Sequence, residues 1–300
     1  TTIEGMQRRA MRALGACGGS GAVTRGETTV SALMNFAAML PLWLLLALIL
    51  GLALGVAGVL VMLVRRTWPH PALKENNELV GFTYAVYGLI YGVILAFTIV
   101  TVWQQFEMAE TTVLHESATL SELWRDANGL PAAVRAEIHR DIVAYVDAVI
   151  EREWHSMSHD GQADGATKAI YEDLWANSYG IEPSTKSEEA FLAEYLNRLN
   201  ALSLHRRMRL MHCRSELHAI LWLVLLFGAI PTVAYPLLFA ARHAFVHLGL
   251  TTCIMALVLL CLLVTFSLQF PFTGNVSIKP DAFMALRTSL QERMAAGPRP

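Results

Sequence analysis

The side chains best suited to chemistry lie on one apolar stretch. Tyr84, Tyr87 and Tyr91, followed by Leu95 and Thr98, fall three or four residues apart, so one face of a helix carries three phenols and a hydroxyl. Such a row can present hydroxyls and ring edges to water or an ion as a pore wall. It can equally pack and anchor a helix at a membrane boundary. On a neighbouring face Gly81, Ala85, Gly88, Gly92 and Ala96 repeat at helical spacing, and the step from Gly88 to Gly92 lets a second helix approach closely. Further along, Pro231 and Pro236 each remove a helix hydrogen bond and free a carbonyl upstream, near Phe227 and Thr232. Both prolines are therefore candidates for a hinge or for a static kink.

Other chemistries find less support. His155 and His159 stand four apart beside Asp160, as His243 and His247 do without an acidic neighbour, but two ligands on one helical face make only half a zinc site. No metal site is expected. No glycine-rich phosphate loop and no nucleophile elbow is present, so neither a cofactor nor an enzymatic reaction is indicated. Cys17, Cys213, Cys253 and Cys261 are scattered, with no disulfide framework in their spacing.

The elements that position these residues follow from hydropathy. Of the 300 residues 54% are hydrophobic and 16% charged, which weighs against a water-soluble globule. Four stretches, Leu40–Val64, Leu79–Trp103, Ala219–Ala241 and Leu248–Phe272, contain no Asp, Glu, Lys, Arg or His, and each is long enough to cross a bilayer as a helix. They form two hairpins, 40–103 and 219–272, separated by a polar segment, 104–218. Residues 1–39 read as a disordered or extraneous N-terminal segment and 273–300 as a C-terminal tail. With four crossings, the polar segment and both termini share one side. Arg206, Arg207, Arg209 and Arg214 before the third span favour the cytoplasm, although Arg65, Arg66 and Lys74 lie on the opposite side.

The polar segment is expected to be helical throughout. Ala109, Val113, Ser117, Leu120 and Trp124 carry the second span on into water as an amphipathic helix, and Asn128-Gly129 before Pro131 stops it. Val134, Ile138, Ile142, Tyr145 and Val149 form the next stripe. A looser helix covers 166–178. Thr185 with Glu188 has capping-box spacing, and the helix it opens, with Phe191, Tyr195, Leu199 and Leu202 on one face, meets no Gly or Pro before Gly228. One long helix from the polar segment into the third span is the expectation, with a short final helix over 281–294. The fold class is all-α, with four spans and a helical cytosolic domain inserted between spans two and three.

The polar segment carries 11 Lys/Arg against 19 Asp/Glu, and the rest of the chain 12 against 6. An acidic soluble part argues against nucleic acid as a partner. The spans hold no charge, which argues against a proton-coupled transporter, a pump or an arginine voltage sensor and suits a passive pore.

Four blocks together resemble a known family: Glu78-Leu79-Val80-Gly81-Phe82-Thr83-Tyr84, Tyr91-Gly92-Val93-Ile94-Leu95-Ala96-Phe97, Trp103-Gln104-Gln105-Phe106, and Phe270-Pro271-Phe272-Thr273-Gly274-Asn275-Val276-Ser277-Ile278. They are similar to the bacterial bestrophin-like family, over roughly residues 42–283. The resemblance implies kinship with bestrophins, pentameric anion channels with four spans per subunit, a cytosolic helical region and a pore neck built from the second span. It implies a multi-pass protein of the bacterial inner membrane, with the lipid bilayer, inorganic ions and further copies of itself as partners. The acidic calcium clasp of bestrophins is not matched, since only Asp281 and Glu292 follow the fourth span. Calcium activation does not carry over. An acidic segment also concentrates cations rather than anions, so selectivity stays open. Two functional expectations result: a homo-oligomeric ion channel lined by the second span, or a non-conducting scaffold or sensor whose cytosolic domain binds a partner protein.

Overall fold

A computed structural model describes residues 42–68, 77–213, 217–239 and 243–296. The N-terminal segment 1–39, most of the loop after Arg66 including Lys74, Arg214 and Arg242 lie outside the described residues. Among the described residues every regular element is helical. Four helices are long and apolar enough to cross a membrane: α1 (Leu42–Thr67), α2 (Asn77–Asp126), α7 (Ala219–Leu237) and α8 (Ala244–Gln269). Between α2 and α7 stand α3 (Ala132–Ala148), α4 (Trp154–Asp160), α5 (Gly165–Ser178) and α6 (Lys186–His212), and α9 (Asp281–Ala295) follows α8.

The expected extension of the second span is found. At 1.5 Å per residue, the 50 residues of α2 run for about 75 Å, far more than a bilayer core requires. Beyond the apolar stretch α2 is buried along Ala109, Val113, Glu116, Leu120 and Leu123, a run of four-, three-, four- and three-residue steps. The stripe passes through Glu116 rather than Ser117, which is only half-buried. A 3₁₀ turn, Ala127–Gly129, ends α2, and Pro131 precedes α3 as expected. Gly129 is required there for space, because a Cβ would sit 2.1 Å from the Phe191 ring.

Two features depart from the expectation. The stripe of α3 does not run evenly to Trp154, because a π turn, Val149–Glu153, joins α3 to α4. One extra residue in that turn rotates the following side chains, so Trp154 joins Glu153 on the buried face. The long helix opened by Thr185 does not enter the third span either: α6 ends at His212 and α7 begins at Ala219. In an unbroken helix, Leu225 and Thr232 would stand about a third of a turn away from the stripe Tyr195, Leu199, Leu202, Arg206, Arg209. The break lets both faces be buried. The cap at the start of α6 forms: Thr185 Oγ1 accepts from the Glu188 N–H (3.1 Å), and the Glu188 carboxylate accepts from the Ser184 N–H (2.7 Å).

The core of the polar segment gathers Leu120, Leu123, Ile138, Ile142, Tyr145, Leu199 and Leu202 with Phe283 of α9. Among the spans α1 packs on α8 through Ala53 and Ala57 against Met255 and Ala256. Small side chains permit that approach. Of the three small positions Gly51, Gly55 and Gly58, a Cβ would meet a neighbour only at Gly58, the Leu248 side chain at 3.9 Å, so the two alanines and Gly58 face α8.

Candidate functional site

The tyrosine row of α2 is turned toward α7. Tyr87 donates its hydroxyl to the Gly228 carbonyl (3.1 Å) and Tyr91 to the Leu225 carbonyl (3.1 Å). Tyr84 packs its ring on Tyr235 (5.9 Å between centroids) and Phe239 (6.4 Å). Tyr91, Leu95 and Thr98 are 4%, 7% and 6% exposed, so within one subunit this row is interior. Thr98 Oγ1 donates back to the Ile94 carbonyl of its own helix (2.9 Å). The small-residue face is open by comparison. A Cβ on Gly81 would meet only the Phe239 ring at 3.6 Å, Gly88 and Gly92 have nothing within 4 Å, and Ala96 is exposed.

Pro231 and Pro236 lie inside α7, which stays one helix through both. Carbonyls on either side of them take side-chain donors. Gly228 O accepts from Thr232 Oγ1 (2.8 Å) as well as from Tyr87, and Pro236 O accepts from His247 Nε2 (2.9 Å). Gly228 is also a site of close approach: a Cβ would stand 2.4 Å from the Tyr91 ring. His247, placed in a loop by the charge map, is a buried residue in the first turn of α8.

Below the spans is a cluster of charge that sequence reading missed. Arg209 and Glu116 are fully buried and pair bidentately, Nε to Oε2 at 2.6 Å and Nη2 to Oε1 at 3.0 Å. Arg209 Nη2 also donates to Glu153 Oε2 (2.7 Å), and Arg206 donates to the other oxygen of Glu153. The Tyr145 hydroxyl completes the set on Glu116 Oε1 (2.7 Å). Two carboxylates thus face two guanidinium groups, and each of the four carboxylate oxygens accepts a hydrogen bond, which helps a buried ion pair to be tolerated. Burial opposes the Arg209 charge, but Glu116 and Glu153 outweigh it and hold its pKa above the ordinary guanidinium range. Burial, then the negative Glu116, pushes the Tyr145 phenol well above its usual value. It therefore serves as a neutral donor.

The cluster is also where three spans are tied to the helical domain. Glu116 belongs to α2 itself, and Arg206 and Arg209 lie in the last two turns of α6, before the third span. The fourth span arrives through the turn Phe270–Ile278, closed by the Ile278 N–H on the Pro271 carbonyl (2.8 Å), with Gly274 at φ +93°. Phe272 meets Trp154 edge-on (5.6 Å), Trp154 Nε1 donates to the Ile278 carbonyl (3.3 Å), and the Arg209 guanidinium lies 5.8 Å from both the Trp154 and Phe283 rings.

The pair His155 and His159 makes local contacts. The His155 and His159 rings are 4.1 Å apart, and His159 Nδ1 donates to the His155 carbonyl (3.2 Å). Among the described residues no three His, Cys, Asp or Glu side chains are grouped to hold a metal.

A family model, the Bestrophin-like domain, matches residues 51–283. That is most of the chain, which belongs to this family. No curated protein sequence matches it. Among solved structures, a single-substitution variant of a bacterial bestrophin homologue from Klebsiella pneumoniae is similar at a TM-score of 0.65 and 13% identity, covering 83% of this chain and 99% of its own. A second crystal structure of a bestrophin homologue from that organism, obtained by zinc phasing, gives 0.62 and 14% over 83% and 99%. At such identity the likeness is one of fold: a multi-pass, all-helical, bestrophin-like membrane protein.

Proposed function

We propose that this member of the Bestrophin-like domain family is a homo-oligomeric ion channel, with copies of α2 arranged around a central axis. The observation that carries the reading is the face of α2 that its own subunit leaves uncovered. Opposite the tyrosine row stand Phe82, Leu89, Val93, Ala96 and Val100, all exposed, while α7 and α8 cover the other side. Four spans without internal charge do not enclose water alone. A ring of uncovered α2 faces does, with an apolar wall of the kind that gates by dewetting.

In this reading the open flank of Gly88, Gly92 and Ala96 lets the α2 of an adjoining subunit approach closely. Tyr84, Tyr87, Tyr91, Leu95 and Thr98 fix α2 to α7 and act as the support behind the wall, and Pro231 and Pro236 shape α7 where it carries that support. The helical domain lies in the cytoplasm, together with both termini. Bestrophins pass anions, and the acidic segment 104–218 favours cations; the reversal potential under a salt gradient decides between them. Liposome flux tests the wall. Val93→Trp should abolish flux while the protein remains assembled, and Tyr179→Ala, at an exposed position in the helical domain, should leave it unchanged. Flux that persists at its original rate in Val93→Trp overturns this assignment. No flux of either sign from the unaltered assembled protein leaves the scaffold or sensor reading, which the direct continuity of α2 from membrane to helical core favours.

A further inference from the structure

The buried cluster is balanced, but one of its members faces a second environment. Arg206 lines a cavity of about 370 Å³ between α5 and the end of α6, together with Ala163, Tyr171, Ser203, Arg207 and Leu210. Among the described residues no acidic side chain lines it, although the surrounding segment is strongly acidic. The Arg206 side chain is 9% exposed, and its guanidinium carbon lies 5.0 Å from the centre of the Tyr171 ring. Its Nη2 serves Glu153, yet its Nε–H is buried with no acceptor. A buried donor left unpaired costs about 1–3 kcal/mol. Arg207, next in sequence, is exposed and has no ion-pair partner among the described residues.

The hydroxyls nearby cannot supply the missing acceptor. Ser203 Oγ donates to the Leu199 carbonyl (2.8 Å) and accepts from Tyr171 (2.6 Å) and Trp175 Nε1 (3.3 Å). Tyr171 in turn accepts from Trp175 (2.9 Å). The wall thus offers Arg207, the edge of the Glu153-bonded Arg206, fixed hydroxyls and, one turn further along α6, the apolar Leu210 and Met211. A cavity of this size suits a small metabolite, and walls of one charge concentrate ligands of the other.

We propose that this cavity binds a small organic carboxylate, its anionic head between Arg206 and Arg207 and its apolar body along Leu210 and Met211. The site is independent of whether the protein conducts ions. Calorimetric titration of the full-length protein in detergent tests it, with benzoate as probe and inorganic phosphate and benzyl alcohol as comparisons. Benzoate should bind saturably and more tightly than phosphate, and benzyl alcohol should not bind. Arg207→Gln should weaken benzoate roughly tenfold, the loss of one charge-assisted contact. Ala163→Trp, at an exposed loop position, should fill the cavity and abolish binding without moving the thermal midpoint. The absence of saturable benzoate binding at millimolar concentration, equal affinity in both variants and the parent, or phosphate binding as tight as benzoate would each overturn the proposal.

Discussion

Removal of the Arg209 guanidinium would leave Glu116 and Glu153 facing one another where neither is exposed to water. Breaking a buried pair in this way costs about 3–5 kcal/mol, because uncompensated charge stays behind. Arg209→Met should therefore lower the thermal midpoint of the purified protein steeply, and adding Glu116→Gln, which leaves Glu153 paired with Arg206, should recover part of the loss. Equal midpoints for Arg209→Met and the parent would show that the cluster is not what holds the helical domain. Histidines set the behaviour in acid. Burial lowers the pKa of His139, stacked on Trp124 with ring centres 3.6 Å apart, of His205, where neighbouring His115 adds to the effect, and of His212. Each binds its proton more readily in the unfolded chain, so the folded state loses stability as pH falls below about 6.5 and regains it as pH rises. Denaturation midpoints at pH 7.5 and 5.5 should show this loss, and His205→Asn should reduce it; a midpoint that rises in acid would contradict the sign.

At the scale of elements, the contact between α2 and α7 depends on an absent side chain. Gly228→Ala would drive a methyl into the Tyr91 ring, and overpacking of this kind costs about 1–3 kcal/mol. Tyr91→Ala in the same chain should relieve that clash, so the two substitutions should not add; additive effects on the thermal midpoint would place Gly228 elsewhere. The length of α2 was legible in the sequence because Ala109, Val113 and Leu120 keep helical spacing beyond the apolar stretch. Glu116 was not, since hydropathy marks a glutamate as surface and nothing local announces an arginine 93 residues away. The π turn that brings Trp154 inward beside Glu153 and the break before α7 were hidden for a related reason. Both are set by which face must be buried in the assembled fold, and neither has a Gly or Pro at its site. The tyrosine row was recognisable as special, but inside a bilayer both sides of a helix are apolar, and residue type does not say which one meets its neighbour.

For the whole molecule, burial within one subunit is concentrated in the helical domain, while the spans leave many large apolar side chains uncovered. Lipid covers some of these in any membrane protein. In the proposed channel, the α2 face of Phe82, Leu89, Val93, Ala96 and Val100 surrounds a central axis instead. Such an axis would be mechanically connected to the helical domain, since α2 reaches the buried cluster through Glu116, α6 joins it before the third span, and the fourth span reaches it through Trp154. The most direct test of the ring is particle imaging of the protein in nanodiscs, with rotational classification. A closed ring, pentameric as the resemblance to bestrophins implies, with Val93 of every α2 facing the axis is the predicted result. A monomer, a simple dimer, or a ring whose α2 turns Val93 outward to lipid would contradict it.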